Sequence, residues 1–309
     1  MTELRAESLS PIDAATLWPQ LRRLDTEVIA TRAGENLLVS SGLAATGLTH
    51  LPRMPRTAVL GVRRGLRYRG VLVVRELSGG AAWEAASLRI AREKDDEAVR
   101  SLLGAAGMEV ARRGGRSVFL RYAEGSPHAP AVRQGGFMAY SFEHLHALPA
   151  QPQRSRETAF RPAARSDRAG LFRLYCSTVP QNVRREEATI LQEWRAVLDS
   201  YDCQRHFVLE QQGALTAWVG IGEREAHLLA EPAIEGAVDA ALDLTEAYLD
   251  ARGVVVINAF QGDIERNALV RGYTALGTRL LCVRRLAALN PIPAKEVVAV
   301  PADMPLAPQ

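Results

Sequence analysis

The sequence predicts a mixed α/β (α+β) fold built twice in one chain. Three observations carry that reading. A strand–helix–strand unit spans 83–140, the same order of elements returns in the second half, and 309 residues suffice for two domains of ordinary size. Within the unit, 87–91 (SLRIA) alternates apolar and polar residues as a half-buried strand does. In 95–113, Val99, Leu102, Leu103, Ala106 and Val110 share one helical face. Gly114 and Gly115 stop that helix. The run 117–122 (SVFLRY) is β-branched and aromatic, which suits a buried strand. A short helix over 130–134 runs into Gly135-Gly136-Phe137, and a last strand covers 139–146.

The repeat is visible without gaps. Residues 223–253 align with 84–114, pairing Glu223 with Glu84, Ala230 with Ala91, Leu242 with Leu103 and Gly253 with Gly114. After a small length change, 254–260 (VVVINAF) answers 117–122, and 268–273 (ALVRGY) answers 132–137 (VRQGGF). A duplicated domain is the economical explanation. Two copies are expected to pack as an intramolecular pseudo-dimer, with a homo-oligomer also possible.

Composition narrows the class. The net charge is +3, nearly all cations are arginine, and Lys94 and Lys295 are the lysines, so charge alone is no signal for nucleic acid. The hydrophobic fraction of 47% is that of a globular protein, and no apolar run reaches the ~18–20 residues of a membrane span. The first residues (MTELRAESLSPID) lack the basic-then-apolar pattern of a secretion signal, so a cytoplasmic location is expected. Cys176, Cys203 and Cys282 are isolated, which argues for reduced thiols rather than a zinc or disulfide framework.

Taken in order, Ser10-Pro11 opens an expected helix to about 31, with Leu17, Leu21, Leu24 and Val28 on one face. A second helix and a loop are expected over 36–51. Strands at 57–62 and 70–75 flank Arg63, Arg64 and Arg67, an antiparallel hairpin with a basic turn. The polar, proline-containing stretch 149–158 is the expected linker between domains at 1–150 and 158–289. In the second half an edge strand is expected at 160–162, helices at 167–177 and 184–197, strands at 206–210 and 215–221, a strand at 227–230 and a helix at 237–251. Trp194 and Trp218 read as core. The proline-rich segment 290–309 reads as a flexible tail.

This order of elements, the opening Phe160-Arg161-Pro162 followed by a leucine-rich helix, and the Gly136-Phe137 and Gly272-Tyr273 endings resemble the GCN5-related N-acetyltransferase family, in two tandem copies. The resemblance implies acetyl-CoA or another acyl-CoA as cosubstrate, lying between two diverging strands, with its pyrophosphate at a helix start. The family's loop pattern, Gln/Arg-x-x-Gly-x-Gly/Ala, is degenerate in both copies. Asp96 or Glu235 stands at its first position, Val99 or Val238 at its first glycine, and Ser101 or Ala240 at its last. The family's tyrosine is replaced by Val132 and Ala268, and its asparagine by Gly125-Ser126 and Gln261-Gly262.

By that resemblance, cosubstrate binding falls to the first copy. Ile90, Ala91 and Arg92 would meet the thioester through the main chain, and Val99, Arg100, Ser101 and Ser126 would surround the phosphates. Glu84 is the candidate base and Tyr122 the candidate acid. The expected activity is N-acyl transfer to an amine of a small molecule or peptide, the alternative a non-catalytic relative that binds a small molecule or protein. His144 and His146 share a strand face, but the sequence places no third ligand beside them, so no metal is expected.

Overall fold

The computed structural model describes residues 4–10, 13, 17–24, 26–30, 56–152 and 158–286. The expectations for 36–51 and 290–309, and the middle of the linker at 153–157, lie outside the described residues.

The first half runs β1 (Ala6–Ser8), a 3-10 turn (Trp18–Arg23), β2 (Thr26–Ala30), β3 (Thr57–Arg64), β4 (Arg67–Glu76), β5 (Ala82–Ile90), helix α1 (Asp96–Arg112), β6 (Ser117–Ala123), helix α2 (Ala129–Gln134) and β7 (Met138–Ala147). The second runs β8 (Arg161–Pro162), α3 (Arg168–Thr178), α4 (Gln181–Glu187), α5 (Leu191–Ser200), β9 (Arg205–Gln211), β10 (Ala214–Ile221), β11 (Glu225–Ala230), α6 (Ala237–Tyr248), β12 (Val254–Asn258), α7 (Gly262–Val270) and β13 (Thr274–Arg285).

Local chemistry explains most of these elements. The Asp95 carboxylate caps α1 by accepting from the Ala98 N–H at 3.2 Å, and Asp96 and Glu97 suit the positive end of the helix dipole. The buried stripe of α1 (Ala98, Val99, Leu102, Leu103) recurs in α6 as Ala237, Val238, Ala241 and Leu242, at the spacing the repeat predicts. The turn between β9 and β10 places Gln212 and Gly213 at φ 53° and 77°, the left-handed pair a tight hairpin needs.

One expected helix is not formed and another is divided. The segment near 10–31 keeps a Ser10 and Asp13 cap, each accepting the other's main-chain N–H, and it buries Leu17 and Leu24. It then becomes a 3-10 turn and β2 rather than one helix. Thr26, Val28 and Ile29 are β-branched, and an unpaired edge of β5 takes them up. The expected helix over 184–197 is two helices. Thr189 donates its N–H and hydroxyl to Glu193, at 2.9 Å each, which starts α5 afresh.

Among the described residues the thirteen strands form one sheet, in the order β1-β3-β4-β5-β6-β13-β7-β12-β11-β10-β9-β8, with β2 added to β5. Within this sheet the halves exchange their last strands. β13 sits against β6, and β7 against β12. At the centre β7 and β13 pair antiparallel, Ala147 opposite Thr274 and Met138 opposite Val283. Each strand carries one bulge, leaving Tyr140 and Leu276 as the extra residues, and these two are equivalent positions of the repeat. A local two-fold axis therefore passes between β7 and β13. The exchange saturates main-chain groups that would otherwise form two exposed edges.

Candidate active site

The parallel pairs of the two halves behave alike up to one point. β5 and β6 pair from Ala82 opposite Ser117 to Glu84 opposite Phe119, then separate. β11 and β12 pair from Glu225 opposite Val254 to His227 opposite Val256, then separate. By this register the counterpart of Glu84 is His227. Glu223, its partner in the ungapped alignment, is exposed in the turn before β11. The alignment holds for the helices and slips in the strands, because β5 runs further past its divergence than β11 does.

At the first divergence the protein's own residues take the expected cosubstrate positions. β2 pairs with β5 through Thr26 opposite Ile90 and Ala30 opposite Ser87, so the edge around Ile90 is in use. The Ala91 N–H donates to the Arg69 carbonyl at 2.8 Å. Ser101 bridges to the N-terminal strand, its hydroxyl donating to the Leu4 carbonyl and accepting from the Ala6 N–H. Asp95 is gripped by Arg69 through two bonds of 2.8 and 2.6 Å, and Asp96 meets the His128 ring at 2.8 Å. Val99 is buried in helix α1, Arg92 and Arg100 are exposed, and the Ser126 hydroxyl accepts from the His128 N–H. A carboxylate cap holds the N–H group that a pyrophosphate would need. The α1 start does not fit an anion in the family's usual pose.

Glu84 and Tyr122 are not brought together. Glu84 is buried and ion-paired with Arg75 at 2.9 Å, while Tyr122 lies in the core beneath α1, on the opposite face. Burial and the neighbouring Cys282 push the Tyr122 phenol up.

The second divergence is more open. No third strand joins β11 among the described residues. Helix α6 begins at Gly236, φ 74°, with no side-chain cap. The Gln261 amide reaches across the gap and donates to the Ala230 carbonyl at 3.3 Å. Asp239 in the first turn is paired with Arg271 at 2.8 Å. His227 faces the helices α3 to α5, buried under Tyr201, the two rings stacked 4.3 Å apart. Its Nε2 lies 3.5 Å from Glu225, and its Nδ1 has no hydrogen-bond partner. Burial opposes ionisation of Glu225, but His227 and Arg279, the latter at 2.7 Å, outweigh it and hold the carboxyl well below its ordinary range. An imidazole with one nitrogen toward a carboxylate and the other free has the base-and-orienter arrangement of acid–base catalysis. The sequence analysis missed His227. Its signal is Glu225-x-His227, two ionisable residues at period two on one strand face.

A buried polar seam joins the halves on the same face. Arg121 meets Glu143 at 3.4 Å, Glu143 meets Arg279 at 3.0 Å, and Arg75 reaches Asp199 at 3.1 Å. Tyr140 and Tyr175 donate to Glu187 at 3.2 and 3.0 Å. Burial pushes the Glu187 carboxyl up to about 7. Beside it a cavity of about 20 Å³, room for one water, is lined by Arg121, Ser200 and Leu281. A larger cavity of about 400 Å³ shares Arg121 and opens between β2, β6 and β13.

No protein-family model matches the chain, and no curated protein does. Solved structures do. A tandem GNAT protein from the clavulanic acid biosynthesis pathway superposes with a TM-score of 0.51 at 13% identity, over 92% of this chain and 98% of that one. A GCN5-related N-acetyltransferase from Sphaerobacter thermophilus gives 0.52 at 11%, over 92% and 96%. At such identities the likeness is one of architecture: the chain has the fold of the tandem GCN5-related N-acetyltransferases.

Proposed function

We propose that the chain is an acyl-CoA-dependent N-acyltransferase working from its second half, with acetyl-CoA the expected donor and an amine of a small molecule or peptide the acceptor. The observation that carries this is His227, at the last paired position before β11 and β12 diverge, with a free Nδ1 and Glu225 behind it. The uncapped start of α6 at Gly236 supplies main-chain N–H groups suited to the donor's phosphates. His227 takes a proton from the acceptor ammonium; the amine then forms its bond to the acyl carbon as the carbon–sulfur bond breaks, and coenzyme A leaves as the thiol after taking up a proton.

A second reading is favoured by the first half. There β2 and the Asp95 cap take the donor's place, which suits a relative that keeps the fold only to bind a ligand or partner. Titrating acetyl-CoA while following thermal unfolding decides between them. A ligand at a hundred times its Kd adds about 2.7 kcal/mol. The enzyme reading expects that stabilisation in the wild type and in His227→Gln, with acyl transfer to an amine panel lost only in the variant. No stabilisation at millimolar acetyl-CoA moves the chain to the second reading.

A further inference from the structure

We propose that the turn closing α5, Asp199-Ser200-Tyr201, is a gate over His227 that the first half holds shut through Arg75 and Arg121. This rests on His227 being the base, and it names the residues that control access to it. The His227 side chain is 3% exposed, and its unpartnered Nδ1 is sealed from solvent. An acceptor ammonium has to come within hydrogen-bond reach of that nitrogen, so whatever covers the ring has to move. The ring stacked on it is Tyr201, 4.3 Å away.

The grips on the turn come from the first half. Arg75 on β4 donates to the Asp199 carboxylate at 3.1 Å and to the Asp199 carbonyl at 3.3 Å. Ser78, just after β4, donates its N–H at 2.9 Å and its hydroxyl at 3.2 Å to the same carboxylate. Arg121 on β6 donates to the Ser200 hydroxyl at 3.1 Å, and its guanidinium stands over the Tyr201 ring, 5.6 Å from the centroid. Arg75 is also the residue that locks Glu84, so one guanidinium closes the first half's ionisable group and catches the gate of the second. The turn's own bonds are longer than those to the Asp199 carboxylate. The Tyr201 N–H reaches the Leu198 carbonyl at 3.3 Å, and the Asp202 N–H reaches the Asp199 carbonyl at 3.4 Å. Asp202 is exposed at φ 55°, a left-handed conformation that costs a non-glycine residue and suits a hinge. The cavity of about 20 Å³ lined by Ala196, Val197 and Ser200 leaves the same end of α5 incompletely packed. Once the two arginines let go, Tyr201 swings about Asp202 and uncovers Nδ1.

The test is carbethoxylation of the full chain with diethyl pyrocarbonate, followed by peptide mapping at His227. The reagent reads the ring and not turnover, so a failed gate and a failed acyltransferase give different results. The wild type should react slowly at His227. Asp199→Ala, which removes the hold of Arg75 and Ser78, and Arg121→Met, which removes the hold on Ser200 and Tyr201, should each react roughly tenfold faster there. Arg121→Lys, which keeps the cation, should restore the slow rate. Glu193→Gln, at the other end of α5, should react as the wild type does. His128, a second histidine with a side chain 3% exposed, should keep its rate in every variant. Melting curves show which variants fold. If Arg121→Met does not, Asp199→Ala carries the test, because that side chain is 28% exposed. An unchanged rate at His227 in Asp199→Ala overturns the gate, and so does an equal acceleration at His128, which marks general loosening.

Discussion

At the first divergence β5 continues to Ile90 and its edge is zipped to β2, whereas at the second β11 stops at Ala230 and a single side chain, Gln261, crosses the gap. The helix starts differ in the same sense. Asp95, held by Arg69, caps α1, while Gly236 leaves α6 without a side-chain cap. The ionisable residues at the equivalent points differ too: Glu84 is locked between strands by Arg75, and His227 keeps a free nitrogen. One duplicated scaffold thus carries a closed cleft and a more open one. Strand length decides which is which, because only the longer β5 offers an edge for β2.

The sharpest way to break this comparison is through Arg75. It is nearly buried and serves both Glu84 and Asp199, so Arg75→Leu should take the guanidinium away from the buried Glu84 carboxylate and cost about 3–5 kcal/mol in urea unfolding. Glu223→Ala, at an exposed turn in the second half, should stay within about 0.5 kcal/mol. A loss below about 1 kcal/mol for Arg75→Leu would show that Glu84 does not depend on this pair.

Strand β2 gives the next largest effect. Ile29 is 1% exposed, and Ile29→Ala should cost about 2–4 kcal/mol. Amide exchange should quicken at Ser87 to Ile90 and stay unchanged at Leu228 to Ala230. Equal quickening in both clefts would contradict the separate roles of the two edges.

Glu187 sharpens the comparison through pH. Burial holds its folded-state carboxyl at about 7, above the ordinary 4.5, so the folded protein keeps a proton that the unfolded chain has released. Stability from this group is therefore full below about pH 4.5, falls as pH rises to about 7, and stays lost above. Glu187→Gln should be about 2 kcal/mol more stable than wild type at pH 8 and no more stable at pH 4. Melting curves at the two pH values check the sign. The smallest effect is expected at Gly236. Gly236→Ala forces an L residue to φ 74° and should cost about 1 kcal/mol, while weakening any stabilisation by acetyl-CoA.

Much of the fold was legible because its signals are local. The apolar stripe of α1, the glycines after it and the hairpin at Gly65 can all be read from spacing alone. The candidate site was legible only in part. Glu84 was singled out by its place in the repeat, yet the register of β11 makes His227 its counterpart, and the extra length of β5 past its divergence hides that from an ungapped alignment. The segment holding Val28 looked helical by periodicity, because a helical stripe and a β-branched strand can share the same few apolar residues.

The sequence by itself determined the duplicated order of strands and helices, since periodicity, caps and turn residues act over a few neighbours. The tertiary structure alone decided which edges are filled. The exchange of β7 and β13, the seating of β2 and the free nitrogen of His227 depend on main-chain edges and burial, and those exist only once distant segments have met.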